Sequence, residues 1–207
     1  MKQLEIKRIK QSASGDISYP EAIHPIDNDN WNYPADVKVK FGMAYDDSHL
    51  YLHYAVNENH PKAVCTTTNG PVWEDSCVEF FIAFDDDKYY NLEFNCIGTR
   101  LAGLGSSNTD RQWLATGLVE SIETMPSLGG QSIDLEGTPT QWTMKIKIPR
   151  TLFGDNIEKF EVGQSYKANF YKCGDKQKQV HFLSWNPIGH EAPNFHLPQY
   201  FGTIKLV

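Results

Sequence analysis

A tryptophan and a glutamate six positions apart, Trp73 and Glu79, have the types and spacing that best suit ligand chemistry in this chain. They lie in the segment PVWEDSCVEFFI, where the indole precedes a strand-like run that carries the carboxylate among apolar residues. A sugar has an apolar C–H face that can lie flat on an indole, and hydroxyls that need oriented carboxylates, amides and guanidinium groups. The segment therefore predicts a sugar-binding surface; the plainer interpretation is a core tryptophan beside a solvated acid.

Two neighbouring strands are expected to position these groups. Residues 78–84 and 89–97 flank an acidic turn and alternate apolar with polar residues. Because one face must be buried, the apolar residues of both runs must point to the same side, so the numbers of opposed residues sum to about 172. That register puts Glu79 opposite Glu93 on a polar face.

The same register brings two more ligand-type side chains, Asn95 and Arg100, towards the end of the hairpin where Trp73 lies. An indole, a carboxylate, an amide and a guanidinium together suit a sugar ring. The alternative is a surface ion pair between Glu79 and Arg100, worth ~0–1 kcal/mol and without a ligand. The pattern leaves both interpretations open.

The rest of the chain reads as β structure. Runs rich in aromatic and β-branched residues are separated by clusters of glycine, proline, asparagine and aspartate. This pattern predicts an all-β antiparallel β-sandwich, with immunoglobulin- or jelly-roll-like layers, long loops and little helix. The other predicted strands cover residues 37–45, 49–57, 141–148, 165–171, 180–184 and 202–207. The glycine-rich region 103–137 is expected to hold long loops with a strand at 116–122, and residues 149–154 one helical turn.

Composition sets the broad class. A length of 207 residues suits one domain covering residues 1–207, and no apolar run is long enough for a membrane span. With 19 basic and 26 acidic side chains the net charge is −7, and the scattered lysines disfavour a nucleic-acid partner. Residues 1–10 hold no apolar leader core, which predicts a cytoplasmic protein, or a periplasmic or secreted one if a leader has been removed.

The four cysteines show no CxxC pair and no zinc-ligand spacing, so neither a metal nor another cofactor is expected. Cys77 and Cys96 could approach each other if they lie on neighbouring strands. Free, half-buried thiols are the expected state in a chain without an export signal.

Several segments resemble the carbohydrate-binding module family 9 group, especially its stand-alone family 9-like domains. The specific ones are VWEDSCVEFF and QYFGTI, and the resemblance runs almost from end to end. It implies a β-sandwich whose cleft clamps the terminal sugar unit of an oligosaccharide or polysaccharide between two tryptophans. It also implies a non-catalytic role in support of polysaccharide breakdown, since well-studied members accompany secreted xylanases.

The resemblance also assigns residues. Trp73 matches the first tryptophan and Glu79 the sugar-binding carboxylate, both by their places around the D-S-x-V-E run. Trp185, in SWNP, is similar to the second tryptophan, and Asn186 beside it is a polar partner. Arg100 corresponds to the family's basic ligand residue.

Family members carry structural calcium, which in this chain would sit at the acidic turns of residues 46–47 or 85–87, since hard cations need clustered oxygens. Such turns are more often simply solvated. No bound metal is expected.

Two other functions stay open. A glycoside hydrolase would pair Glu79 with a second acid about 5–10 Å away, although Glu93 would lie nearer and lack a group that separates their pKa values. Haem binding through a methionine and a histidine, as in related sandwich domains, would use Met43, although no haem-pocket spacing is recognisable.

Three further side chains have open or lesser roles. Trp113 either extends the binding surface or covers the core. Asn169 either contacts ligand or lies on a solvated sheet face. His196, in NFHLP, is expected to fix a loop through hydrogen bonds rather than to bind metal.

Overall fold

Alternating apolar and polar residues form sixteen strands in the described part of the chain, which comprises residues 1–9, 17–135 and 137–207 of a computed structural model. The strands are β1 Gln3–Arg8, β2 His24–Ile26, β3 Asn28–Asp29, β4 Val37–Tyr45, β5 His49–Glu58, β6 Lys62–Ala63, β7 Cys77–Ala83, β8 Tyr89–Asn95, β9 Arg100–Gly105, β10 Arg111–Trp113, β11 Glu123–Pro126, β12 Ile133–Asp134, β13 Thr140–Pro149, β14 Ser165–Cys173, β15 Phe182–Ser184 and β16 Gly202–Leu206. Helix α1 spans Thr116–Glu120, and 3-10 helices span Val72–Glu74, Arg150–Lys159 and Pro198–Tyr200.

The strands form two layers that share β1. One layer runs β10-β9-β8-β7-β14-β16-β1 and the other β1-β4-β5-β13-β11. The first part of β1 pairs with β16 and its last two residues pair with β4, both in parallel. The predicted all-β sandwich is confirmed, with antiparallel pairing everywhere on this path except at β1.

The core lies between the layers. Phe41 of β4 stacks on Phe170 of β14 with ring centroids 3.8 Å apart, and Phe80 of β7 stacks on Phe170 from the other side. All three rings are fully buried, each contributing about 1.5–3 kcal/mol through the apolar surface that it removes from water.

The register of the β7–β8 hairpin is the predicted one. Glu79 lies opposite Glu93, and their residue numbers sum to 172. On its other edge β7 pairs with β14, so Tyr171 lies beside Glu79 and Cys173 beside Cys77. Since side chains alternate between faces, these residues share the face that points away from the core.

The segment 116–122 is the main difference from the predicted elements. It contains the helix α1 instead of a strand, because Val119 and Ile122 are both buried three positions apart, the spacing of one helical face. The predicted helical turn near residue 150 is present as the start of the 3-10 helix Arg150–Lys159.

No helix in the described ranges is both long and apolar enough to cross a membrane.

Candidate functional site

A pocket of about 290 Å³ opens over the outer face of the first layer. Glu79, Glu93 and Cys173 form part of its floor, and Phe182 and Phe195 belong to its apolar lining. The face owes its polarity to the same alternation that sends Val78, Phe80 and Ile82 into the core. The pocket therefore has a sheet floor with acidic groups and an aromatic wall.

Trp73 stands at the side of this pocket, half-buried. The 3-10 turn Val72–Glu74 holds it, because Val72 is fully buried and anchors the turn. The carbonyl of Trp73 accepts a hydrogen bond from the backbone N–H of Asp175 at 3.2 Å. The backbone of Trp73 is thus held in place, and the half-buried residue keeps part of its surface available to a ligand.

Arg111 supplies the guanidinium of the pocket. Its Nη1 lies 3.3 Å from Glu93 Oε1, and its guanidinium carbon lies 4.5 Å from the ring centroid of Trp113 and 6.0 Å from that of Trp73. Strand β10 reaches this position through a tight turn from Gly105, where a Cβ would lie 2.0 Å from the carbonyl oxygen of Asp110. Arg111 was not among the ligand residues predicted from the sequence; the available signal was the R-x-W alternation after the turn-type residues SSNTD.

His196 holds Arg111 in place. Its Nε2 lies 2.8 Å from Arg111 Nη1 and its Nδ1 lies 2.8 Å from the hydroxyl of Tyr89. Arginine can only donate, so Nε2 accepts and Nδ1–H donates to the tyrosine. Burial, and then the charge of Arg111, lowers the pKa of His196 to about 3, so the imidazole is neutral.

The two floor glutamates repel each other. Burial, and then the charge of Glu93, raises the pKa of Glu79 well above its usual range. Burial raises the pKa of Glu93 to about 7, against the opposing effect of Arg111. The pocket floor therefore holds protons that solvent-exposed carboxylates would have lost at neutral pH.

Two buried polar atoms on this face have no hydrogen-bond partner among the described residues, Glu93 Oε2 and Asn91 Oδ1. Asn91 does use its amide group, since Nδ2 donates to Glu93 Oε1 at 3.0 Å. Buried polar atoms without partners are rare, and since Glu93 lines the pocket whereas Asn91 does not, Glu93 Oε2 marks where a ligand can donate.

Sulfur also lies at the floor. The ligand-type atoms of Cys77, Cys173 and Glu79 are all within 4.8 Å of one another, and the Cys173 thiol donates to Glu79 Oε1 at 2.9 Å. Burial raises the pKa of both thiols, so they are protonated, whereas a metal needs thiolates. The group is better suited to hydrogen bonding than to metal binding. All four cysteines are free, and Cys77 lies opposite Cys173 rather than beside Cys96.

The acidic turns do not fit calcium. Asp46 Oδ1 accepts the backbone N–H groups of Ser48 and His49, and Asp46 Oδ2 accepts the hydroxyl of Tyr51. In the second turn Asp86 pairs with Lys167 at 2.5 Å. Asp46 and Asp86 therefore already have partners within the protein.

Two predicted ligand residues, Asn95 and Arg100, do not line this pocket. The side-chain amide of Asn95 is fully buried and bonds to Cys65 O, Asp75 Oδ2 and the backbone N–H of Thr99, so it braces the loops that carry these three residues. Arg100 lies opposite Phe94, not Glu93, and therefore on the other face. Its guanidinium donates to the carbonyl of Ile122 outside the pocket.

Trp185, the second tryptophan of the expected clamp, also does not line the pocket. Trp185 is 4% exposed and packs edge-to-face on Phe41 and Phe170 in the core. A Cβ on Gly202 would lie 2.4 Å from its ring, so the indole fills the space that this glycine leaves. Asn186 is equally structural, since Nδ2 donates to Tyr200 O and Oδ1 accepts from the backbone of Lys2. Of the six predicted ligand residues, Trp73 and Glu79 line the pocket.

The structure also shows the surroundings of Trp113, Asn169 and Met43, whose roles the sequence left open. Trp113 is 44% exposed and stacks on Arg111 beside the pocket, so it belongs to the outer surface. Asn169 is buried and bonds to the backbone of Asn186. Met43 is a buried core residue, which argues against its use as a haem ligand.

A second charged cluster lies inside the core. Lys172 Nζ lies 3.3 Å from Glu58 Oε2 and 2.7 Å from His181 Nε2, and it donates to Cys173 O at 2.9 Å. Trp142 Nε1 donates to Glu58 Oε1 at 2.6 Å. Burial alone would raise the pKa of Glu58, but the charge of Lys172, the interaction with His181 and the hydrogen bonds from Ser76 and Trp142 together lower that pKa.

Known proteins resemble this chain over all or nearly all of its length. The sequence pattern of carbohydrate-binding family 9 matches residues 19–206. A Bacteroides uniformis protein of solved structure, described as a candidate carbohydrate-binding protein, is 35% identical, with a TM-score of 0.88 over 100% of this chain and 99% of that one. No curated protein matches the chain.

Two more distant structures share the fold. Both are family 9 carbohydrate-binding modules from Caldicellulosiruptor kristjanssonii. The one in complex with glucose is 17% identical, with a TM-score of 0.56 over 100% of this chain and 96% of that one. The one in complex with cellotriose is 15% identical, with a TM-score of 0.59 over 99% and 93%.

Proposed function

The chain belongs to carbohydrate-binding family 9, as its sequence predicted, and on this premise we propose that it is a non-catalytic domain that binds one sugar unit of a glycan. The ligand site is the pocket beside Trp73. In this proposal residues 1–207 act as one binding domain whose role is to support polysaccharide breakdown.

The observation that carries the proposal is the composition of this one pocket. A half-buried indole stands at the side of a floor with acidic groups, and Phe182 and Phe195 give the pocket an aromatic wall. The C–H face of a sugar packs on Trp73, while its hydroxyls donate to the carboxyls and accept from Arg111. The volume of about 290 Å³ is at the small end for ligand pockets, about 300–1,000 Å³, and suits a single sugar unit.

Two phenylalanines take the place of the expected second tryptophan in this proposal. Phe195 is held rigidly, since its ring stacks on Tyr171 with centroids 4.2 Å apart and an interplanar angle of 11°. Phe182 packs edge-on against Phe195 at 6.2 Å. A rigid apolar wall stabilises a bound ring at little cost in conformational entropy.

Binding is favoured over glycoside hydrolysis by the placement of the acids. Glu79 and Glu93 are cross-strand neighbours on one sheet floor, where Cβ atoms are about 4.5–5.5 Å apart. A hydrolase places its two carboxyls on either side of the scissile bond. Glu79 and Glu93 instead approach a bound sugar from the same side.

The test is glycan-array screening followed by calorimetry with the best glycan. Trp73→Ala is expected to weaken binding at least tenfold, or about 1.4 kcal/mol, without unfolding the protein. Tyr19→Ala is the control, because Tyr19 is a half-buried aromatic that does not line the pocket. Equal affinity of wild-type protein and Trp73→Ala would refute the site.

Aryl glycosides and gluco- or xylo-oligosaccharides supply the second arm of this test. No turnover is expected from the wild-type protein. Hydrolysis that is abolished by Glu79→Gln and retained by Trp73→Ala would favour an enzyme and overturn the non-catalytic role.

A further inference from the structure

Carboxyl groups outnumber cationic groups in the lining of the pocket. Its ionisable lining consists of three carboxyls and one guanidinium, with His196 neutral: Glu79, Glu93, Asp175 and Arg111. The guanidinium is already engaged, since Arg111 Nη1 contacts both Glu93 Oε1 and His196 Nε2. No other lysine or arginine lines the pocket in the described part of the chain.

One of these carboxyls has an unused oxygen. Glu93 is 2% exposed, lines the pocket, and its Oε2 has no hydrogen-bond partner among the described residues. The other oxygen of this carboxyl is well supplied, because Asn91 and Arg111 both donate to it. The unused atom therefore calls for a donor from the ligand, and a charged donor forms the stronger bond.

Resting on the proposed function, we infer that the preferred ligand is an amino sugar with a free, protonated amine, whose ammonium group binds Glu93 Oε2. An ammonium offers three donors and no acceptor, which suits a floor rich in carboxyls. A neutral hydroxyl satisfies the oxygen without balancing the charge. An N-acetyl group removes the charge and adds bulk, and the carboxylate of a uronic acid is repelled by the floor.

The groups around Glu93 set the pH range of this preference. Titratable or charged residues face it from the neighbouring strands and loops: Glu79 and Cys77 of β7, Arg111 of β10, Tyr171 and Cys173 of β14, Tyr89 of its own strand, and Asp175 and His196 of the loops. Burial raises the pKa of Glu93 to about 7, and partial burial, followed by the charge of Glu74, raises that of Asp175 to about 6. Both acids lose charge as the pH falls from 7 to 5, so attraction for an ammonium declines.

The experiment is calorimetry of the full chain with glucosamine, glucose, N-acetylglucosamine and glucuronate at pH 7 and pH 5. At pH 7 glucosamine is expected to bind at least tenfold more tightly than glucose, and glucuronate most weakly. At pH 5 the preference for glucosamine over glucose is expected to shrink to less than threefold.

Two variants locate the preference. Glu93→Gln keeps the shape of the side chain and is expected to weaken glucosamine binding at least tenfold while changing glucose binding less than threefold. Asp175→Asn, at the exposed rim, provides a second test if Glu93→Gln does not fold, with a smaller loss for glucosamine alone. Glu123→Gln is the control, since Glu123 is exposed and outside the pocket.

The outcomes separate this inference from the proposed function. Equal binding of glucose and glucosamine would overturn the inference and leave sugar binding intact. Failure of every sugar, on the array and in solution, would overturn both. A preference for glucosamine that survives in Glu93→Gln and at pH 5, or ethanolamine binding as tightly as glucosamine, would also overturn the inference.

Discussion

Two buried charged clusters lie on opposite sides of β14, and they differ in how completely their polar atoms are paired. In the core, Lys172 contacts Glu58, His181 and a backbone carbonyl, and Trp142 donates to Glu58. In the pocket, Arg111 contacts Glu93 Oε1, and Glu93 Oε2 has no partner among the described residues. The first cluster is complete without a ligand and the second is not.

The completeness of pairing distinguishes a buried polar cluster that stabilises the fold from one that can bind a ligand. Buried charges cost several kcal/mol each unless they are paired. A fully paired cluster, such as the one around Lys172, therefore has a role in the fold. A cluster that still has an unpaired atom, such as the one around Glu93, keeps part of that cost until a ligand binds. Residue type alone does not distinguish the two, because both clusters combine a glutamate, a cation and a histidine.

The largest effect on stability is expected from breaking the fully paired core cluster around Lys172. Lys172→Met leaves the Glu58 carboxylate buried without its cation and is expected to lower the free energy of unfolding by about 3–5 kcal/mol. Denaturant unfolding followed by circular dichroism measures it. Lys167→Met, on the same strand but half exposed, is the control and should change stability by less than about 0.5 kcal/mol. Equal stability of the two variants would mean that the core cluster is not a balanced network.

Removing the ionisable group of Glu93 from the pocket cluster is expected to raise stability instead of lowering it. The pKa of Glu93 is raised to about 7 in the folded state, so the folded protein holds this proton more tightly than the unfolded chain does. Stability from this group is present at low pH and is lost as the pH rises through about 7. Glu93→Gln is therefore expected to be more stable than wild type at pH 8, by about 1–3 kcal/mol, with the advantage declining towards pH 4. Thermal unfolding across this range checks it, and a pH-independent difference would contradict it.

A smaller effect on stability is expected from removing the hydrogen bond that joins His196 to Tyr89. Tyr89→Phe removes the acceptor of His196 Nδ1–H and should cost about 1 kcal/mol of stability. Tyr200→Phe, which removes an exposed bond to Gly189 O, is the control and should cost less. If Tyr89→Phe costs nothing, His196 is not fixed as described.

The smallest effect on stability is expected at the rim. Asn108 is exposed and lines the pocket, so Asn108→Ala should change the free energy of unfolding by less than about 0.5 kcal/mol. Its loss should weaken sugar binding by about 0.5–1.5 kcal/mol, the worth of one hydrogen bond. Calorimetry and thermal unfolding of the same sample check both halves. A stability loss equal to the binding loss would assign Asn108 to the fold instead.

The sequence was sufficient for the parts of the fold that local patterns determine. Alternation in two short runs fixed the β7–β8 register and placed Glu79 beside Glu93. Trp73 followed from its position before that hairpin. Both inferences needed only neighbouring strands and the requirement that one face be buried.

The other side of the pocket depends on contacts between distant segments. Strand β15 pairs with β14, which points Phe182 to the pocket and Leu183 and Trp185 to the core. A three-residue strand carries too little alternation to show which face is which without its partner. Arg111 was missed for a similar reason, because its turn looks like a long loop until Gly105 is seen to close it.

The parallel pairing of β1 with β16 affects how the domain responds to force. Gln3 pairs with Thr203 and Ile6 with Leu206, so the first and last strands run side by side in the same direction. Tension applied at residues 3 and 206 pulls from opposite ends of this ladder and loads its rungs together rather than one after another. A domain tethered through both termini would therefore resist stretching in shear, with the strand that joins the two layers acting as its mechanical clamp.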